Sequence, residues 1–216
     1  MTSNLKQLEL KQLQLTKAAI PFLRPIEATV RGGEILAITG PSGCGKSTLL
    51  SAISGSLHHI FTVQGEILLN GDNISDKAIE QRRIGILFQD PLLFPHLTVV
   101  ENICFADGHG HHEDRMLRAM ASLEQVGLNN IAHRYPSEIS GGQAARVGLL
   151  RTLQAKPLAL LLDEPFSKLD SKTRLTFREW VYQIIKQRGI PTLLVTHDEA
   201  DIPDPTFTLN IGDYSL

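Results

Sequence analysis

The stretch Glu34-Ile-Leu-Ala-Ile-Thr39-Gly40-Pro-Ser-Gly-Cys-Gly-Lys46-Ser47-Thr48-Leu-Leu-Ser-Ala-Ile-Ser54 decides the fold. Its first six residues read as a buried strand, and Lys46–Ser54 reads as a helix. Between them, Gly40, Pro41, Ser42, Gly43, Cys44, Gly45, Lys46, Ser47 and Thr48 form a complete phosphate-binding loop of the pattern G-x-x-x-x-G-K-S-T. Glycines let backbone N–H groups converge on phosphate oxygens with no Cβ in the way. The helix that starts near Lys46 offers unpaired N–H groups and a partial positive end, about +0.5 charge, to an anion. Lys46 is placed to reach the β- and γ-phosphates of a nucleotide, and the Ser47 hydroxyl to ligate Mg²⁺. Cys44 is expected to contribute its backbone.

Outward from this loop, strand-like and helix-like segments alternate, which predicts an α/β fold with helices packed on a sheet. Leu8, Leu10, Leu13 and Leu15 mark an opening strand. Gly65–Asn70 and Ile84–Phe88 add two more, the first closed by the turn dipeptide Asn70-Gly71. From about Glu113 to Lys156 the pattern is helical, with Leu117, Met120, Leu123 and Val126 as the expected buried stripe of the first run. Strands return at Leu158–Leu162 and Thr192–Val195, separated by a helix carrying Trp180, Val181, Ile184 and Ile185. The expected organisation is one domain: a nucleotide-binding core of residues 1–89 and 156–216, with a helical subdomain at 90–155.

Leu158-Ala-Leu-Leu-Leu-Asp163-Glu164-Pro165 is a continuous apolar run ending in two acids, as suits a central parallel strand buried on both faces. Carboxylates at the end of such a strand need partners, and a metal ion is one. Asp163 is the expected Mg²⁺ residue. Glu164, projecting differently from its neighbour, is assigned as general base or water-positioner. A second anion-binding device follows the same logic as the first: Ser140, Gly141, Gly142 and Gln143 precede a helical run and offer a hydroxyl and exposed N–H groups.

Taken together, the loop at Gly40–Thr48, Leu160-Leu-Leu-Asp-Glu-Pro165 and Ile139-Ser-Gly-Gly-Gln143 strongly resemble the ABC ATPase family over nearly the whole chain. The resemblance implies a P-loop NTPase core of RecA-like type, an antiparallel β part and a helical subdomain insertion. It implies that Gln89 touches Mg²⁺ and the catalytic water, that Asp170 in Ser167-Lys-Leu-Asp170 lies at a dimer contact, and that His197 senses the γ-phosphate of ATP. It further implies a head-to-tail pair of ATPase subunits, homodimer or heterodimer, in which Ser140, Gly141 and Gly142 close over ATP bound to the other subunit. Leu92-Leu-Phe-Pro-His-Leu-Thr-Val-Val-Glu-Asn102 resembles the segment by which importer ATPases for oxyanions, iron or thiamine receive a membrane subunit, so a permease and a solute-binding protein are implied partners. The sequence departs from the family at Ile139, Ala144, Ala145 and Lys168, and Phe22 is the only aromatic before the loop. Two other readings compete with a transport ATPase: a soluble ABC ATPase acting on ribosomes or DNA, and a non-hydrolysing regulatory cassette.

Composition limits the remaining classes. The 216 residues are 42% apolar, enough for a sizeable core. No apolar stretch approaches the roughly 18–20 residues needed to cross a bilayer. The polar opening Met1–Gln7 is not expected to be a signal peptide, and no regulatory domain is expected beyond Leu216. With a net charge of −2 and no long basic run, binding to nucleic acid is not expected. Two cysteines, Cys44 and Cys104, suggest a reducing compartment. The expected location is the cytoplasmic face of the inner membrane. His109-Gly-His-His-Glu-Asp114 reads as a solvated loop, with a dedicated metal site as the lesser alternative.

Overall fold

A computed structural model describes residues 6–216. The chain divides into two compact units. One comprises the chain through Ile86, Leu158–Glu164 and Tyr182–Leu216, and the other Leu87–Pro157 and Pro165–Val181. The segment Pro165–Val181 thus belongs with the helical unit, whereas the sequence-based boundaries assign it to the core.

Two sheets build the first unit. The five-stranded sheet has the order β6-β7-β8-β3-β9, from Ile84–Leu87 (β6), Ala159–Asp163 (β7), Thr192–Val195 (β8), Ile35–Thr39 (β3) and Thr208–Asn210 (β9). β3 runs parallel to both β8 and β9, and β7 parallel to β8. β3, β7 and β8 are buried almost from end to end, which explains their unbroken apolar sequences. The four-stranded sheet has the order β2-β1-β4-β5, from Ile20–Arg31, Gln7–Lys17, Phe61–Leu69 and Asp72–Asn73, and its paired strands are antiparallel. Leu8, Leu10, Leu13 and Leu15 of β1 all face the core, where they meet Leu36 and Ile38 of β3 and Leu49 and Ile53 of helix α1 (Lys46–Ser54). The turn between β4 and β5 is Asn70-Gly71, with φ 55° and 87° at the two positions.

The second unit packs α2 (Val99–Ala106), α3 (His112–Gln125) and α4 (Gly141–Gln154) around Val99, Ile103, Ala119, Leu123, Val147 and Leu150. The first residues of α5 (Ser171–Arg188), through Val181, belong here, and the rest of α5 belongs to the first unit. The expected stripe on α3 is corrected at Leu117, which is 70% exposed. Met116, Ala119, Met120 and Leu123 form the true inner face. This i, i+3, i+4, i+7 set is the one-faced stripe of an amphipathic helix. Ile139 packs against this core, as a volume-conserving replacement can. Among the described residues no helix is long and apolar enough to cross a membrane.

Candidate functional site

The site is assembled at the carboxyl ends of three neighbouring parallel strands, where open α/β sheets bind ligands. β3 feeds the Gly40–Thr48 loop, β7 ends in Asp163, and β8 leads through Thr196 to His197. Because β8 lies between β3 and β7, three segments distant in sequence deliver their polar residues to one edge.

The loop has the backbone its glycines permit, with φ of 134° at Gly40, 81° at Gly43 and 106° at Gly45. Nothing lies within 4 Å of where a Gly43 Cβ would stand. The ring edge of Phe22 occupies the corresponding place at Gly45, 2.9 Å from such an atom, while the rest of Phe22 packs against the first core. Gly45 is the N-cap of α1 and supplies no side-chain oxygen, so the first N–H groups of the helix are left for a ligand. Lys46 Nζ donates to the carbonyls of Gly40 and Pro41, both at 2.8 Å. Those neutral acceptors are ones a phosphate oxygen can displace. Ser42, Gly43, Gly45, Lys46, Ser47, Thr48, Asp163 and Glu164 line a cleft of about 240 Å³.

Asp163 hydrogen-bonds Ser47, and its pKa is nevertheless raised, chiefly by burial and further by the charge of Glu164, with Lys46 opposing. An anionic carboxylate is costly there unless a cation joins it. A hydroxyl and a carboxylate beside a phosphate cradle form the hard oxygen donor set that Mg²⁺ prefers, so these residues fit that ion. The raised pKa has a testable sign. The folded state holds the Asp163 proton more tightly than the unfolded chain, so stability falls as pH rises through the raised pKa. In metal-free buffer, Asp163→Asn is expected to melt higher than the parent at neutral pH. That margin should shrink in thermal melts at progressively lower pH, as the parent carboxyl also becomes neutral.

Glu164 lies beyond the end of β7, with φ 49°, a left-handed conformation that costs a non-glycine residue about 1 kcal/mol. Strand alternation therefore stops at Asp163, and a backbone turn re-aims the next carboxylate. The turn is held by the Glu164 N–H, which donates to the Val195 carbonyl at 3.0 Å. It brings Glu164 Oε1 to 3.2 Å from His197 Nδ1.

The other predicted residues lie in the second unit. Ser140 caps α4 in a reciprocal box: its Oγ accepts from Gln143 N at 3.2 Å, and Gln143 Oε1 accepts from Ser140 N at 2.9 Å. Gln143 is thus engaged in holding the cap. Gly142 has a reason the sequence did not disclose: a Cβ there would stand 3.0 Å from Leu169 Cδ2 and 3.2 Å from the Lys168 carbonyl. Lys168, the unusual residue, lies over Gly141. Asp170 accepts from Thr173 N at 3.1 Å at the start of α5, and hydrogen bonds to Thr173 lower its pKa. Gln89 follows β6 and is exposed. Phe94 stacks edge-on against Phe105 at 4.9 Å, with the Arg151 guanidinium 5.4 Å from its ring. Among the described residues no three His, Cys, Asp or Glu side chains are grouped to hold a metal ion; of the His109–Asp114 run, His112, Glu113 and Asp114 open helix α3 rather than lying in a loop.

A family model described as ABC transporter matches residues 23–167. The chain belongs to the ABC transporter ATP-binding family. It is 42% identical over 206 residues, 95% of each chain, to YnjD of Escherichia coli K12, an uncharacterized ABC transporter ATP-binding protein. It is 40% identical over 199 residues to the sulfate/thiosulfate import ATP-binding protein CysA of Ralstonia nicotianae, matching 88% of this chain but only about half (53%) of that relative's length. Among solved structures, the dimeric post-hydrolysis state of the ATP-binding cassette MJ0796, bound to ADP and Pi, superposes with a TM-score of 0.80 at 30% identity over 95% of both chains. This ABC ATPase thus has the P-loop fold that its sequence implied.

Proposed function

We propose that the protein binds Mg–ATP and hydrolyses it as the ATPase subunit of an importer for a small solute. The supporting observation is the convergence of the phosphate cradle, the desolvated Asp163 and the Glu164–His197 pair at the ends of β3, β7 and β8. Lys46 exchanges its two loop carbonyls for phosphate oxygens, and the helix N-terminus adds backbone donors. Ser47 and Asp163 would hold Mg²⁺, a role that the family resemblance also gives to Gln89. When bound, that ion neutralises charge on the phosphate oxygens. Glu164 orients a water and accepts its proton as the water oxygen bonds to the γ-phosphorus and the bond to the β–γ bridging oxygen breaks. His197 fixes the orientation of that carboxylate and senses the γ-phosphate.

A second ATPase subunit completes the site. Ser140, Gly141 and Gly142 of each copy close on the ATP of the other, and Asp170 lies at the seam. The MJ0796 cassette, a dimer in its ADP- and Pi-bound state, supports this reading. CysA relatives, named for sulfate/thiosulfate import, support import of an oxyanion or similar solute. Under that reading the partners are an integral membrane permease and a solute-binding protein, and the ATPase works at the cytoplasmic face of the inner membrane. Lys46→Ala tests the core of the proposal. Loss of the charge-assisted bonds is expected to weaken Mg–ATP binding about 10- to 100-fold, read by titration calorimetry. Unchanged affinity would overturn it.

A further inference from the structure

We propose that Arg82 is a positioning residue for nucleotide binding, holding the rear end of α1 so that its front end presents the phosphate cradle; the proposal rests on the nucleotide-site reading above. Arg82 is a charged side chain only 7% exposed, with the charge of Asp76 nearby, and its guanidinium hydrogen-bonds four backbone carbonyls. Its Nη1 donates to the carbonyls of Ala52 and Ile53, both at 2.9 Å, in the last turn of α1. Its Nη2 donates to the Ser75 carbonyl at 2.5 Å, and its Nε to that of Lys77 at 2.9 Å.

The carbonyls at the end of a helix lack intrahelical partners and carry its negative end. The last turn of α1 contains no basic residue of its own. The Ser51 carbonyl is satisfied by the N–H groups of Gly55 and Ser56, and Arg82 takes the next two. Gly55 makes room for this. At φ 87° it turns the chain away, and a Cβ there would stand 2.7 Å from Arg82 Nε and 3.0 Å from Cζ. Burial removes water from the guanidinium, which strengthens each of its bonds and makes the loss of any one more costly.

Leu49, Leu50, Ala52 and Ile53 already bury one face of α1. Apolar packing is non-directional, so it holds the helix down without fixing its axial position or tilt. Four directional bonds from one rigid planar fork fix both. Nine residues span roughly 13 Å, so a tilt of about 10° pivoted at the rear moves the front by about 2 Å. A misplacement of about 1 Å can cost as much as a hundredfold in function.

The test compares parent, Arg82→Gln and Arg82→Lys, measuring Mg–ATP affinity by titration calorimetry at 15 °C alongside thermal melts, with Lys46→Ala in parallel. Arg82→Gln is expected to weaken affinity about tenfold. Arg82→Lys, which keeps the charge but cannot span four carbonyls, should lie between Arg82→Gln and the parent. A residue that serves stability alone lowers the melting temperature and leaves the affinity of the folded protein unchanged. That pattern, in whichever variant folds, overturns the proposal. If Lys46→Ala loses binding while both Arg82 variants match the parent, only the Arg82 proposal fails; if Lys46→Ala retains full affinity, the nucleotide-site reading fails with it.

Discussion

Glu164→Gln is expected to lower steady-state ATP turnover by about 10²- to 10⁴-fold while the protein still retains Mg–ATP. The substitution keeps the size of the side chain and removes its negative charge, and with it the ability to accept a proton as a carboxylate. The fold should tolerate it, because the left-handed backbone at this position is held by a main-chain bond to the Val195 carbonyl rather than by the side chain. The charge of Glu164 also pushes the pKa of Asp163 upward. Removing that charge favours the anionic form of Asp163, so retention of Mg–ATP should become stronger rather than weaker. Phosphate release gives the rate, and size-exclusion chromatography in ATP reports whether the uncleaved nucleotide holds two copies together. Turnover within twofold of the parent removes Glu164 from the proposed chemistry. No turnover in the parent itself would instead mark a non-hydrolysing cassette.

How much of this was legible in the sequence depended on whether the signal was local. β3, β7 and β8 were readable because strands buried on both faces must be apolar throughout. The cradle was readable because its glycines, lysine and hydroxyl are contiguous. β2 was not. Its fully buried residues Leu23, Ile26 and Val30 are spaced by three and four, which mimics a helix. The spacing arises because the β1–β2 register shifts along the pair, information that resides in the partner strand. α2 went unread although Thr98 and Glu101 form a capping box at its start, a signature present in the sequence. At the site, Asp163 and Glu164 were legible as residues. The proximity of Glu164 to His197 follows from β7 and β8 being neighbours, which no local pattern states. The role of Gly142 depends on the approach of Lys168 and Leu169, 26 and 27 positions further along the chain.

The same dependence on a partner strand underlies the largest expected loss of stability, at Gly65. β1 places Leu8 and Leu10 on its core face, then carries one extra residue so that Leu13 and Leu15 return to that face. The extra residue is a bulge around Gln12, with φ 49°, and the pairing with β4 shifts register between Lys11 and Gln14. Gly65 lies against the bulge with φ 92°. A Cβ there would stand 2.3 Å from the Gln12 carbonyl oxygen and 2.6 Å from that of Lys11. Both obstacles are backbone and cannot rotate away. Straightening the bulge offers no escape either, because a one-residue slip would turn Leu13 and Leu15 out of the core. Gly65→Ala is therefore expected to cost about 4 kcal/mol from backbone strain and overpacking together. For a chain of this size that lowers the melting temperature by roughly 10 °C. Gly71→Ala is the matched control, since φ there is 87° and nothing lies within 4 Å of the added atom. It carries the conformational penalty alone, about 1 kcal/mol. Equal melting temperatures for the two variants would show that the β1 bulge yields to Gly65, and the steric account of this pairing would fail.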